Sequence, residues 1–239
     1  MKKIGFLILG ILVVDVYFIY RHVSTIQDNQ LQKLNVDSAL VNDLYSKVNP
    51  SEDATVLKGI YREEKIQNQY IIAVGIANYL KENQLQSPAF ISSRDVERMV
   101  HRVFGYDVTF THEDALLLSA GVCGYQYDED LKRYETMGEC EGNTQEKFYR
   151  KIISAEQTGD WILLTEKSIY FYDDWNDKYS KKFVYNGFDR EEVLDYFETL
   201  SYEQIPISID NYLNDATTYV YYFRLKNGEY IFKGMEKLE

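Results

Sequence analysis

Cysteine is almost missing from this chain: Cys123 and Cys140 are the only two. Two thiols, neither in a CxxC pair, are too few for a four-ligand zinc or iron–sulfur site. Histidine is nearly as scarce, with only His22, His101 and His112, and none lies near a cysteine in sequence. HExxH, GxSxG, Walker A and dinucleotide fingerprints are all missing, so no motif names a nucleophile, a metal centre or a phosphate cradle. Positive charge is the third shortage: 26 Lys and Arg against 38 Asp and Glu leave a net charge of −12. A nucleic-acid partner is thereby excluded, since such proteins concentrate Lys and Arg on one surface. Repeats and low-complexity tracts are lacking as well. No cofactor is expected, and no catalytic residue.

What is present first is one long apolar run. MKKIGFLILGILVVDVYFIYRHV carries a single charge, Asp15, between Ile4 and Tyr20. As a helix rising about 1.5 Å per residue it covers roughly 25 Å, close to the thickness of a hydrocarbon core. No small-x-small cleavage site follows, which favours an uncleaved anchor over a signal peptide. Lys2, Lys3 and the amino terminus outweigh Arg21, so the positive-inside rule leaves the tail cytoplasmic and sends the rest outside the cell membrane. Asp15 is costly in lipid, on the order of 3 kcal/mol, unless it reaches the interface or contacts a partner helix. The expected organisation is an anchor at 1–23, a polar tether at 24–37 and an extracytoplasmic α+β domain at 38–239.

Within that domain, residues 38–105 read as helical. ALVNDLYSKV places Leu40, Leu44 and Val48 on one face and stops at Asn49-Pro50. Ile66, Tyr70, Val74, Ala77 and Leu80 recur at helical spacing. SSRDVERMVHRVFG opens with Ser92 and Asp95 in capping spacing and closes on Gly105. From 106 to 239 the period alternates, and 22 tyrosines favour strands. Strands are expected at 106–110, 122–127, 134–137, 148–156, 161–172 and 181–185, with Thr158-Gly159-Asp160 a tight turn. Asp189 and Glu192 suggest a short helix near 189–200. TTYVYYFRLK and EYIFKGM flank Asn227-Gly228, the dipeptide of a type I′ hairpin. The expected fold is therefore α+β: the transmembrane helix, about three helices, then a mainly antiparallel sheet ending in a hairpin.

The two cysteines fit that scheme. A hairpin turning at Leu131-Lys132 pairs Tyr127 with Thr136 and sets Cys123 opposite Cys140. Opposed Cβ atoms lie about 4.5–5.5 Å apart, near enough for a disulfide after small adjustments. Outside the cell such a bond persists and stabilises by roughly 3 kcal/mol. Free buried thiols are the alternative. Glu113 and Asp114 flank His112, but neighbours in a turn rarely converge on one atom. YDDWNDKY gathers Asp173, Asp174, Asn176 and Asp177 without the EF-hand order, as a solvated loop would. Tyr170 and Tyr172 share one strand face, and Tyr219 and Tyr221 another; adjoining in an open groove, they could hold a sugar or peptide.

CGYQYD at Cys123–Asp128, KIISAE at Lys151–Glu156 and ATTYVYYF at Ala216–Phe223 resemble, in order and spacing, uncharacterised membrane-anchored proteins of low-GC Gram-positive bacteria. The resemblance covers roughly the last 140 of the 239 residues and implies a bacterial cell surface, with no activity attached. The expected function is a membrane-anchored extracytoplasmic protein, not an enzyme, that binds a protein or cell-wall partner. A subunit of a membrane complex, contacting a partner helix through Asp15, is one alternative. A wall-directed hydrolase using Glu113, Asp114 or Asp173 is the other.

Overall fold

Capping signals in the sequence become helix ends in the computed structural model, which describes residues 31–49, 68–85, 88–119, 122–138, 146–174, 181–187, 191–198 and 205–238. Helix α1 (Ala39–Val48) begins where the Ser38 hydroxyl accepts from Val41 N–H, and buries Val41, Leu44 and Val48. Leu40, expected on that face, is exposed, because Val41 takes the inward position. Helix α2 (Asn68–Glu82) buries six consecutive residues from Ile71 to Ile76. A one-sided stripe was expected there; continuous burial means that α2 is surrounded. Helix α3 (Ser93–Phe104) is capped by Ser92, which accepts from Asp95 N–H, and ends at Gly105 with φ +89°. No helix among the described residues is long and apolar enough to cross a membrane, and residues 1–23, with Asp15, lie outside them.

The strands form two antiparallel sheets. The larger joins β1 (Gln32–Lys33), β6 (Glu146–Thr158), β7 (Trp161–Asp174), β8 (Lys181–Tyr185), β9 (Val193–Glu198), β10 (Thr217–Lys226) and β11 (Glu229–Leu238). The smaller runs β2 (Phe90–Ser92), β5 (Arg133–Thr136), β4 (Val122–Asp128), β3 (Ala115–Ser119). Strand β7 is the spine: β6 lies along one edge, while β10 and then β8 share the other. The β10–β11 hairpin turns as expected, with Asn227 at φ +54° and Gly228 at φ +87°. One continuous core takes residues from all three helices and both sheets. Helix α2 touches α3 and β3, and α3 touches β2 and β11, so the helices form the layer between the sheets.

Several expectations are corrected. The segment around 189–200 carries strand β9, not a helix, since Leu194 and Phe197 pack on a second cluster formed by Ile169, Phe171 and Val184. Residues 106–110 form no strand: Val108 and Phe110 pack on the core, but a turn closed by Val108 N–H on Gly105 C=O carries the backbone away. Part of the stretch expected as tether pairs with the large sheet, where Gln32 and Lys33 face Gln157 and Glu156. The β4–β5 register also differs. Tyr127 faces Tyr134 and Tyr125 faces Thr136, because the Asp128 carboxylate accepts from Leu131 N–H and Lys132 turns at φ +50°. Glu129–Lys132 thus make a four-residue loop. Met137 N–H bonds Gly124 C=O in this register, so the pairing of Tyr127 with Thr136 on which the Cys123–Cys140 opposition was reasoned is not the one formed; Cys140 itself lies outside the described residues.

Gly75 shows how tightly α2 and α3 meet. A Cβ there would sit 2.7 Å from Val100 Cγ2 and 3.1 Å from the Val96 carbonyl. Alanine is the better helix former by about 1 kcal/mol, yet overpacking costs about 1–3 kcal/mol. Gly75→Ala is therefore expected to lower stability in a denaturant titration. An unchanged or raised midpoint would show that the two helices are not in contact.

Candidate functional site

Along WILLTEKS, the first part of β7, burial alternates, and the inward positions there include one charge. Ile162, Leu164, Glu166, Ser168 and Tyr170 are all buried, with Glu166 only 2% exposed. Its neighbours explain how a carboxylate survives there. Tyr45 from α1 donates to Glu166 Oε2, and Tyr221 from β10 donates to the same oxygen at 3.0 Å. The two rings meet edge to face, with centroids 5.8 Å apart. Arg150, from β6, couples electrostatically to Glu166 and bonds Tyr45. Its Nη1 also donates to Asn49 Oδ1 at 2.6 Å, at the end of α1. Four elements thus meet on one buried acid.

The electrostatics follow from burial. Loss of hydration raises the Glu166 pKa, and the Arg150 charge and the two hydroxyl donors offset this only in part. Burial, then the field of Glu166, pushes both tyrosines well above their ordinary values, so they remain donors. Desolvation alone would weaken the Arg150 charge. The negative side of the cluster outweighs it and holds the guanidinium protonated.

Above this cluster lies an open cleft of about 800 Å3. Its floor is the first half of β6, residues 147–152. Alternation divides the floor between two walls. Phe148, Arg150 and Ile152 face Tyr45 and Asn49 of the α1 wall, beside Val36 and Asp37. Tyr149 packs with Ile207 and Ile209, and Lys151 binds Asp210 at 2.5 Å, which places them and Lys147 at the other wall. The floor is shaped by a β-bulge. Ile152 faces Glu166 but Ser154 faces Thr165, so Ile153 is the extra residue and is exposed. The bulge lets Arg150 and Ala155, of opposite parity, serve the same side of the sheet.

Most residues singled out from the sequence lie elsewhere. Tyr170, Tyr219 and Tyr221 are buried, and Tyr172 is partly so; they form no open groove. They back the cleft instead: Tyr170 packs behind Phe148, with centroids 4.9 Å apart, and Tyr221 stands behind Tyr45. The proposed hydrolase carboxylates do not converge. Asp114, beside β3, accepts from Tyr127 N–H in the small sheet, whereas Asp173 lies in the large sheet opposite Lys182. Asn176 and Asp177 are outside the described residues. His112 does find partners, though not its sequence neighbours. Its Nε2 is 2.9 Å from Glu97 and its Nδ1 2.6 Å from the Tyr134 hydroxyl, while Tyr127 stacks on the ring. Tyr134 is fully buried, which makes this a clamp between α3 and β5. Glu166 and Arg150 escaped notice in the sequence, although a lone acid at an inward position of a strand was a readable signal.

With this geometry in view, comparison with family models, with curated proteins and with solved structures gave no match.

Glu166 carries a pH signature. Its pKa is raised on folding, so the folded state keeps the proton longer than the unfolded state. That contribution to stability is complete below the ordinary carboxylate pKa and is lost as pH rises through the elevated one. Glu166→Gln keeps an acceptor for both tyrosines but leaves Arg150 without its counter-charge, so it is expected to lower stability overall while flattening the fall in stability as pH rises above the ordinary carboxylate range. A variant whose pH profile overlays that of the parent would show that the acid is not desolvated.

Proposed function

We propose that the protein is a membrane-anchored extracytoplasmic binding protein, not an enzyme, and that the cleft above Glu166 is its binding site. The apolar run of residues 4–20 supports the anchor. The observation that carries the binding half is the cleft itself, whose volume of about 800 Å3 falls in the range of ligand sites, roughly 300–1,000 Å3. Its lining is mixed, with Val36, Phe148 and Ile152 beside charged and amide side chains held in place by buried partners. Tyr45, Asn49 and Arg150 are fixed by the cluster beneath, so they are positioned before any ligand arrives. Export also implies the Cys123–Cys140 disulfide, which in the observed register rests on the compartment rather than on opposed strand positions.

Ser208 lines the cleft, which makes it the reporter. In Ser208→Cys cells, a membrane-impermeant maleimide is expected to label the intact cell, while the parent chain reacts only after reduction. A photo-cross-linker at 208 is expected to capture a partner that the same group at exposed Val193 does not. Labelling that needs lysis would contradict the topology. Identical adducts from both positions would contradict the cleft.

A further inference from the structure

We propose that the tip of the β10–β11 hairpin is a self-modifying site. Asn227 loses its side-chain nitrogen to become aspartate or isoaspartate, while the other Asn-Gly pair of the chain is held inert by the fold. Asn-Gly occurs twice, at Asn186–Gly187 and Asn227–Gly228. In the reaction the glycine backbone nitrogen attacks the asparagine Cγ. The N–Cγ bond forms, the Cγ–Nδ2 bond breaks, and the backbone amide proton leaves with Nδ2 as ammonia. Water then opens the resulting succinimide at either carbonyl and is the only co-reactant. One opening gives aspartate; the other gives isoaspartate, whose main chain runs through Cβ. Glycine favours the attack because no side chain shields its nitrogen or restricts its backbone.

The two pairs differ in the freedom of the peptide plane, which must turn to bring that nitrogen against Cγ. At Asn186 the plane is clamped. Its carbonyl accepts from Thr217 N–H at 2.7 Å, and the side-chain Oδ1 accepts from Glu192 N–H at 3.3 Å. Gly187 is buried, and a Cβ there would collide with Thr217 Oγ1. At Asn227 the surroundings are open. Asn227 and Gly228 are exposed, and their shared peptide makes no hydrogen bond among the described residues. A Cβ on Gly228 would meet nothing within 4 Å. The left-handed pair that builds the turn, at φ +54° and +87°, is therefore also the reactive pair. Either product adds a negative charge between Lys226 and Glu229. Isoaspartate also lengthens, by a main-chain atom, the short loop that sets the pairing of those two residues. Lys226, beside the new carboxylate, is the residue that ties the tip to Asp107 at 3.1 Å.

Peptide mapping by mass spectrometry tests this, after the full-length protein in neutral detergent has been aged at alkaline pH in heavy-oxygen water, which marks each new carboxylate. Reaction at Asn186 requires local opening that an exposed turn does not, so Asn227 should convert at least about tenfold faster. In denaturant the clamp is gone, and the two pairs should convert within about twofold of each other. An isoaspartate-specific methyltransferase should label the aged parent strongly and aged Asn227→Gln weakly, since the longer side chain closes the ring poorly. Equal conversion of Asn186 and Asn227 in the folded protein overturns the proposal. So does an intact Asn227 once the denatured control has converted, a rate ratio that persists in denaturant, or parental labelling of Asn227→Gln.

Discussion

A carboxylate removed from water organises this molecule. Taking a charged carboxyl into a protein interior costs several kcal/mol unless donors and an opposite charge replace the lost hydration. Glu166 obtains that replacement from a helix, two neighbouring strands and, through Arg150, the end of the same helix. Each partner is constrained in return. Tyr45 and Asn49 set α1 on the sheet at a fixed height, and Tyr221 locks β10 against β7 in register. An apolar contact between the same elements would tolerate sliding; a shared oxygen with two donors does not.

The cleft is a consequence of that arrangement. Helix α1 is tied down at its carboxyl-terminal end, and the segment 205–216 is held on the opposite face of the sheet by Ile205, Ala216 and Tyr212. Between these two attachments the first half of β6 remains as a floor. The bulge at Ile153 then changes which side chains face which wall. Without it, strict alternation would turn Arg150 and Ala155 to opposite sides, and the buried acid would lack either its cation or its apolar border. The small sheet has its own polar tie, the Glu97–His112–Tyr134 chain, which fastens α3 to β5 independently of the large sheet.

Local chemistry decided which parts of the fold could be read from the sequence. Ser92 with Asp95, and Gly105 after Phe104, mark α3 because caps satisfy backbone groups that no other residues nearby can reach. Asn227-Gly228 marks its hairpin because both residues tolerate positive φ. Strand β9 was masked by Asp189 and Glu192, whose spacing imitates a cap; its pairing with β8 and the apolar contacts of Leu194 and Phe197 are tertiary facts. The β4–β5 register was set by one side chain, Asp128, capping its own turn. Strands as short as β2 carry too little pattern to register. For the site, alternation along β7 contained Glu166 in plain view, but the bulge that brings Arg150 beside it leaves no trace in composition or period. Tyrosine abundance pointed to the correct face and to the row of residues behind the cleft rather than those lining it.

The central claim is that Tyr45 and Tyr221 act through one shared carboxylate oxygen. A double-mutant cycle of Tyr45→Phe and Tyr221→Phe, read by chemical denaturation at pH 7, measures that directly. Partners in one network couple by about 0.5–3 kcal/mol, so the double variant should depart from the sum of the single variants by that amount. Strict additivity would mean that the two hydroxyls do not share Glu166, and that α1 and β10 are held by packing alone.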